Sequence, residues 1–268
     1  MKVKFKLVAL SLVALLSAYG LSGGLPAQAQ GPTADQIMQQ VESRFQGNDF
    51  VAPQVTLTTT NAQGEKQTLQ ISLKALLYDK KDVKYKVLLK VLQPVDSKGT
   101  AFLAIERVYP QPNDEWLFLP ALGQVKKLDP ENARNSLFGS VFNFEDVTGR
   151  PAAADTHKLL RTETVDGRPT WVVESIPKEP NTVEFGRRVT WVDQESLIIL
   201  KEELYDHQGA LLRTGQLLKQ EKLDGIWTMI KAEVKNVQTG EESTFDFGQV
   251  QHNVGLAESL FDPANLGK

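Results

Sequence analysis

The chain has 268 residues, of which 41% are apolar and 24% are charged, and it contains no cysteine. These proportions are ordinary for a globular protein, so they exclude a disordered, collagen-like or multi-spanning chain for most of the sequence. The lack of cysteine excludes a disulfide scaffold, a thiolate zinc site and a thiol nucleophile, and the net charge of −3 provides no attraction to nucleic acid.

Residues 1–29 are predicted to be a cleavable signal peptide. The segment combines a basic start with a short apolar run at 7–16, and it ends in Ala27-Gln28-Ala29, whose small residues suit signal peptidase. The basic start consists of Lys2, Lys4 and Lys6. Because the apolar run is short for a membrane span, an uncleaved anchor is the less favoured alternative. We therefore expect an exported protein, cleaved near Ala29, with a single domain at residues 30–268.

One amphipathic helix is predicted at the start of this domain. Thr33 and Gln36 have the spacing of a capping box, in which each side chain accepts a backbone N–H at the start of a helix. Ile37, Val41 and Phe45 then recur every four residues and form one apolar stripe. Such a helix needs another surface to cover.

Almost all of the remaining sequence alternates with a period of two, which predicts antiparallel strands. At 83–91, apolar residues alternate with lysines, and 55–59 and 69–73 flank a turn at 61–64, which is typical of a hairpin. Further strands are predicted at 100–107, 115–120, 123–128, 158–165, 169–176, 186–193, 198–206, 210–221, 227–237 and 243–250. Short turns such as Asp166-Gly167 favour sequential pairing in one long meander.

The stretch at 129–150 interrupts the strand pattern. Leu137, Phe138, Val141 and Phe142 lie at helical or irregular spacing, so at least one face of the segment must be covered. A long connection within a compact meander is usually functional, which makes this segment a candidate lid.

The sequence offers little chemistry for catalysis or metal binding. Its three histidines, at 157, 207 and 252, lie far apart, and no nucleophile elbow or phosphate-binding glycine loop occurs. We therefore expect no enzymatic activity, no metal and no cofactor. A hydrolase acting on lipid or cell-wall material is kept as a weak alternative, because catalytic residues can converge from distant positions.

Apolar residues exceed what one buried sheet face requires. The runs 117–119, 198–200 and 211–212 are apolar on both faces. These residues either form an ordinary β core with a helix cover, or line a sheet that surrounds a cavity large enough for an acyl chain. Periodicity alone does not separate the two interpretations.

Three segments follow one another in a distinctive order. They are Asp114-Glu115-Trp116-Leu117-Phe118-Leu119-Pro120, the basic strand Val125-Lys126-Lys127-Leu128, and the run from Leu137-Phe138-Gly139-Ser140 to Glu145-Asp146-Val147. Together they resemble the LolA-like outer-membrane lipoprotein-sorting family of the Gram-negative periplasm. Later matches include Trp191-Val192-Asp193, Gly225-x-Trp227 and Phe261-Asp262-Pro263, so the resemblance runs over about 94–266. Two departures are Val141, where the family usually has Asp, and Phe144, where it often has Tyr.

The resemblance implies a mainly β (α+β) fold: a curved, incompletely closed antiparallel β-barrel with helices covering its mouth. It also implies a monomeric periplasmic carrier or chaperone that binds the acyl chains of a lipoprotein or lipid in a hydrophobic cavity and moves them toward the outer membrane. An inner-membrane transporter of the resistance-nodulation-division type is the implied partner. The alternative is a non-catalytic periplasmic interaction or sensor module, accessory to an inner-membrane exporter.

Large apolar residues on the strands and the candidate lid are the predicted lipid-binding residues. Side chains alternate between the two faces of a strand, and the sequence does not fix which face is inward. The predicted residues are Phe102, Trp116, Phe118, Leu137, Phe138, Phe142, Phe144, Trp171 and Trp191.

Overall fold

Residues 31–44, 47–77 and 82–268 are described by a computed structural model. The predicted signal peptide at 1–29 and Phe45 of the predicted helix stripe lie outside the described residues. Within the described part of the chain, two α-helices accompany one 14-stranded antiparallel sheet. The helices are α1 (Ala34–Glu42) and α2 (Phe144–Thr148).

The strands fall into two consecutive runs, separated by a long connection. The first run is β1 (Asp49–Thr60), β2 (Lys66–Leu77), β3 (Val83–Gln93), β4 (Ala101–Arg107), β5 (Asp114–Leu119) and β6 (Gln124–Leu128). The second run is β7 (Asp155–Val165), β8 (Arg168–Pro177), β9 (Arg187–Asp193), β10 (Ile199–Tyr205), β11 (Leu211–Leu223), β12 (Ile226–Asn236), β13 (Glu242–Asp246) and β14 (Gln251–His252). Every predicted strand is present, and β14 was not predicted.

The two runs are joined by pairing between β1, the first strand of the first run, and β13, near the end of the second run. β1 pairs with β13, with Leu57 opposite Phe245, and β14 pairs with the start of β1. The strand order is therefore β6-β5-β4-β3-β2-β1-β13-β12-β11-β10-β9-β8-β7, with β6 and β7 as the edge strands. The predicted single meander is thus two meanders joined by a non-local pairing. The mainly β, incompletely closed fold class is confirmed.

Alternation along the strands gives the sheet an apolar inner face. Val87 and Leu89 of β3 lie opposite Ala75 and Leu73 of β2, and all four side chains are buried together. Phe102 of β4 continues the same buried layer. We call this side, which faces the cavity described below, the inner face, and the opposite side the outer face.

Helix α1 covers part of the inner face. Its capping box is complete: the backbone N–H of Gln36 donates to the Thr33 hydroxyl (3.2 Å), and that of Thr33 donates to the Gln36 side-chain oxygen (2.8 Å). Ile37 is buried against Val173 of β8 and Val192 of β9. The predicted capping box and the need for a covered surface are both confirmed.

Residues 129–154, here called the crossing segment, connect the two edge strands β6 and β7. The segment lies over the inner face, where the ring centroids of Phe144 and Phe102 are 4.6 Å apart and those of Phe142 and Phe245 are 5.4 Å apart. Leu137 is fully buried in the same layer. The helical or irregular spacing predicted here corresponds to α2 and short 3-10 turns.

The C-terminal segment, residues 253–268, covers the outer face of β3 to β5. Phe261 and Leu266 are buried there against Leu103 of β4, together with Trp116 and Phe118 of β5. The start of the segment is anchored by the carboxylate of Asp49, which accepts three consecutive backbone N–H groups at 2.7 to 2.9 Å. The donors are Val254, Gly255 and Leu256.

Candidate functional site

A cavity of about 430 Å³ lies between the inner face, α1 and the crossing segment. Pockets that bind small ligands typically measure about 300–1,000 Å³, so this space is large enough for an organic ligand. The inner side chains therefore do not fill the sheet as a solid core. A cavity is therefore present, but of the three apolar runs only Ile198 and Ile199 line it, and Phe118 is instead covered by the C-terminal segment.

One part of the cavity is apolar. It is formed by the inner residues of β1 to β3, by β13 with the residues that follow it, and by the crossing segment. The lining residues of this part are Phe50, Leu73, Ala75, Leu77, Val87, Leu89, Phe142, Phe245, Phe247 and Val250. Because period-two alternation places these side chains on one face, the apolar lining follows directly from the strand register.

The opposite part of the cavity is charged. Arg188 on β9 and Arg213 on β11 both lie opposite Leu204 of β10, and Glu202 lies two residues before Leu204 on the same face. A guanidinium nitrogen of Arg188 is 3.8 Å from a carboxylate oxygen of Glu202. Neighbouring loops add further charges. The resulting polar wall consists of Arg150, Arg188, Arg213, Glu145, Asp146, Asp155, Glu184 and Glu202.

Ion pairs join the members of the polar wall. Arg213 lies 2.9 Å from Asp146 and 3.2 Å from Glu184. Arg150 lies 3.2 Å from Glu145 and 2.8 Å from Asp155. Removing charges from water is costly unless they are paired, so these contacts are what allow ionised groups to remain at the cavity surface.

Burial changes the acid–base properties of the polar wall. Desolvation raises the pKa values of Glu145, Glu184 and Glu202 above the ordinary value for glutamic acid, although nearby arginines oppose the shift. For Arg213, burial lowers the pKa, but the carboxylates of Asp146 and Glu184 raise it by more. Arg213 therefore keeps its charge, while the three glutamates are incompletely stabilised as anions.

The crossing segment is held over the cavity by polar contacts as well as by aromatic packing. Arg213 donates to the backbone carbonyl of Val141 (3.1 Å), and the backbone N–H of Val141 donates to the Ser243 hydroxyl of β13 (2.9 Å). The hydroxyl of Tyr85 on β3 donates to the carbonyl of Thr148 at the end of α2. These contacts tie the segment to both halves of the sheet.

A second buried charge group lies beside the apolar part. Lys84 forms ion pairs with Glu42 at the end of α1 and with Glu106 of β4. Glu115 of β5 is also buried, and burial together with the nearby Glu145 carboxylate raises its pKa to about 7. The protonated and the ionised forms of Glu115 are therefore both populated near neutral pH.

The structure brings only some of the nine predicted lipid-binding residues together. Leu137 and Phe142 line the cavity. Three more belong to the buried layer that adjoins it: Phe102, Phe138 and Phe144. Trp171 packs beneath α1, whereas three residues lie on the outer face: Trp116, Phe118 and Trp191. Contact of any of the nine with lipid remains a prediction.

Sequence reasoning missed the charged residues of the cavity. The positions Arg213, Gly215 and Leu217 fall on one inner face of β11, where an arginine interrupts an otherwise small or apolar row. A charged residue at an inward strand position was the available signal. It could not be used because the sequence did not show which face was inward.

Within residues 31–44, 47–77 and 82–268, no group of three or more histidine, aspartate or glutamate side chains is placed to hold a metal ion. His157 bonds Ser175 and the carbonyl of Ala152, both at 2.8 Å, and His252 bonds Thr228 at 2.8 Å. In the same described residues, none of the helices has the length and apolar character needed to cross a membrane.

Comparisons with known proteins agree with this architecture. A family model described as an uncharacterized protein matches residues 82–268. A crystal structure of an outer membrane lipoprotein-sorting protein domain from Vibrio parahaemolyticus is 30% identical, with a TM-score of 0.80, over 88% of this chain and 98% of that chain. No curated protein matches the sequence.

Two further structures share the fold at lower identity. A protein from Desulfovibrio piger, in a family of unknown function, is 24% identical with a TM-score of 0.80 over 87% of this chain and 97% of that chain. A LolA superfamily protein from Nitrosomonas europaea is 21% identical with a TM-score of 0.63 over 86% of this chain and 98% of that chain. At these identities the likeness concerns the fold alone.

Proposed function

The chain belongs to the LolA-like outer-membrane lipoprotein-sorting family, and on that premise we propose that it is a carrier for acyl chains. In this proposal, the cavity between the inner face, α1 and the crossing segment holds the hydrocarbon part of a lipoprotein or lipid. The protein shields these chains while they cross an aqueous compartment on the way to the outer membrane.

The observation that carries the proposal is the open apolar part of the cavity, which is continuous with the polar wall. Leu73, Val87 and Leu89 form part of this lining, and their own side chains leave the space vacant. Each methylene group exposed to water costs about 0.8 kcal/mol, so an acyl chain leaves a bilayer only when an equivalent apolar surface receives it. The crossing segment supplies the cover that keeps water from the bound chain.

We propose further that the carrier is exported to the periplasm after cleavage near Ala29, and that residues 30–268 form its single domain. An inner-membrane transporter of the resistance-nodulation-division type is the proposed donor or partner, and the carrier acts as a monomer. These statements rest on the signal-peptide pattern and on family membership. A chaperone for acylated cargo needs no catalytic group, so we propose that the protein is not an enzyme.

The proposal is tested by purifying the protein from cells without detergent and analysing it by lipid extraction and mass spectrometry. We expect co-purified acylated molecules in near-stoichiometric amount, and uptake of a fluorescent fatty acid once they are removed. A protein that carries no lipid and takes up no fatty acid would contradict the carrier function. A stoichiometric protein partner in place of lipid would instead favour the interaction-module alternative, and turnover of ester or amide substrates would favour a hydrolase.

A further inference from the structure

The charged part of the cavity carries an inference about the cargo, which rests on the proposed carrier function. A carrier for plain hydrocarbon needs an apolar pocket only, yet three arginines and four carboxylates of the polar wall line the same cavity, while the buried Asp155 pairs with two of the arginines. Burying charges is costly, so the cavity surface contains more polarity than acyl binding requires. This surplus indicates a cargo with a polar end.

The charges of the polar wall favour a positively charged group on the cargo. Arg150 pairs with Glu145 and Asp155, and Arg213 pairs with Asp146 and Glu184. The Glu202 carboxylate is less well paired than the other carboxylates of the wall. Its nearest cation is Arg188 at 3.8 Å, and its side chain forms no hydrogen bond within the described residues. Desolvation raises the pKa of Glu202, and an added cation would stabilise its charged form.

Space is available next to this carboxylate. Gly215 of β11 lies directly opposite Glu202 of β10, and a Cβ atom at 215 would contact the Cβ of Glu202 at 3.5 Å. Because glycine is present, the wall has no side chain at this place, and both residues line the cavity. A small cationic group can therefore approach Glu202 from the cavity.

The same wall holds an unsatisfied donor. The side chain of Arg213 is 5% exposed, and its Nε is buried without a hydrogen-bond partner among the described residues. The Nε of Arg188 is in the same condition. Buried N–H groups are normally bonded, so each of these two is suited to an oxygen acceptor of a ligand.

We propose that the polar wall binds a primary ammonium group that has a carbonyl or phosphoryl oxygen close to it, while the attached acyl chains occupy the apolar part. The Glu202 carboxylate accepts hydrogen bonds from the ammonium group, and the Nε–H groups of Arg188 and Arg213 donate hydrogen bonds to the oxygen. Two amphiphiles have this chemistry: the free amino-terminal cysteine of a diacylated lipoprotein, and an aminophospholipid such as phosphatidylethanolamine. An N-acylated lipoprotein terminus lacks the ammonium group.

The test compares two synthetic diacylated lipopeptides that differ only in acetylation of the amino-terminal cysteine. Binding of each to the delipidated full chain is measured by calorimetry. We expect the peptide with the free amine to bind about tenfold more tightly, because a partly buried charge pair adds affinity that a neutral amide does not. In Glu202→Gln this preference should fall to about one, because the isosteric amide carries no charge.

The matched control is Glu203→Gln on the opposite face of the same strand, where Glu203 bonds Lys201 and Tyr205 instead of the cavity. This variant should keep the preference. Gly215→Val gives a second way to block the approach to Glu202, and it should lower the preference while the carboxylate remains. A preference that persists in Glu202→Gln would overturn the assignment to this wall.

Vesicles distinguish the two sources of the ammonium group. If the protein extracts phosphatidylethanolamine better than phosphatidylglycerol but does not discriminate between the lipopeptides, the membrane lipid is the cargo, whereas the reverse result identifies the lipoprotein terminus. Equal binding of both lipopeptides and equal extraction of both phospholipids would overturn the inference and leave the carrier function intact. If the protein binds neither lipopeptide and extracts neither phospholipid, the carrier function itself is contradicted.

Discussion

Arg213 on β11 and Asp146 on α2 form a bidentate ion pair, with guanidinium nitrogens at 2.9 Å and 3.1 Å from the two carboxylate oxygens. The side chain of Arg213 is almost fully buried, and Asp146 also accepts the backbone N–H of Asn143, which begins the helix. One residue pair thus fixes both the fold of α2 and its position over the cavity. Fork-to-fork pairs of this kind are among the stronger polar contacts in proteins.

We expect Arg213→Met to lower the free energy of unfolding by about 1–3 kcal/mol, because it removes the buried guanidinium that pairs with the partly exposed carboxylates of Asp146 and Glu184. The substitution should also increase local opening of the crossing segment more than local opening of the sheet. Denaturant unfolding measures the first effect. Amide hydrogen exchange measures the second, with faster exchange expected at 137–148 than in β11.

Arg187→Met is the matched control, since Arg187 lies at the partly exposed end of β9 and its guanidinium is 3.5 Å from Glu174. Exposed pairs contribute about 0–1 kcal/mol, so this variant should leave both stability and exchange at 137–148 nearly unchanged. Equal exchange in the two variants would contradict a holding role for Arg213.

Glu115 should make stability depend on pH. Its pKa in the folded protein is about 7, raised from 4.5 by burial and by Glu145, so the folded state binds more protons than the unfolded state between these values. The stabilising contribution is therefore complete below about pH 4.5 and is lost as the pH rises through 7, by up to about 3 kcal/mol. Glu115→Gln removes this loss.

The measurement is the free energy of unfolding of wild type and Glu115→Gln from pH 4.5 to pH 8. The free energy of unfolding of the variant should increase relative to that of the wild type as the pH rises, and the difference should be largest at pH 8. Glu131→Gln changes an exposed carboxyl of the crossing segment and is the control. A constant difference between Glu115→Gln and wild type across this range would show that the carboxyl is not titrating there.

Filling the cavity should abolish binding without unfolding the sheet. Ala232 of β12 lines the cavity, and Ala232→Phe would place a ring in the vacant space. We expect loss of fatty-acid uptake. The free energy of unfolding should fall by no more than about 3 kcal/mol, the upper end of the usual cost of a large side chain inserted into a filled core. Lys231→Phe, at the neighbouring outward position that pairs with Asp246, should bind as wild type does.

Tryptophan fluorescence can show which face the lipid meets. Trp227 lines the cavity, whereas Trp116 lies on the outer face beneath the C-terminal segment. In variants that retain one tryptophan, lipids with brominated acyl chains should quench Trp227 and leave Trp116 unchanged. The same experiment on Trp171 and Trp191 tests the remaining tryptophans of the predicted lipid-binding set, and stronger quenching at Trp116 than at Trp227 would reverse the assignment of the faces.

The helix and strands were predictable because each leaves a local pattern. Thr33 and Gln36 carry the capping box, and alternation marks strands such as β3 within two residues of their ends. The pairing of β1 with β13 was not predictable. Leu57 and Phe245 are far apart in sequence, and no turn or short connection records that they lie opposite one another.

The cavity was predictable as a class of site, and Leu137 and Phe142 of the predicted set line it, but the strand face that adjoins it was not predictable. Trp116 and Phe118 were predicted to bind lipid, yet they lie on the outer face, and their neighbour Leu117 packs on the inner face. The outer pair is apolar because the C-terminal segment covers it, and that cover is a tertiary contact. A strand that is covered on both faces gives no sign of which face adjoins the cavity.

The central claim is that acyl chains occupy the space between the inner face and the crossing segment. Photocrosslinking with a fatty acid that carries a diazirine in its chain, followed by peptide mass spectrometry, tests this most directly. We expect adducts on inner residues such as Leu73 and Val87 and on Phe142 of the crossing segment, all of which line the cavity. Adducts confined to exposed positions away from the cavity, such as Val95 and Leu122, would contradict the claim.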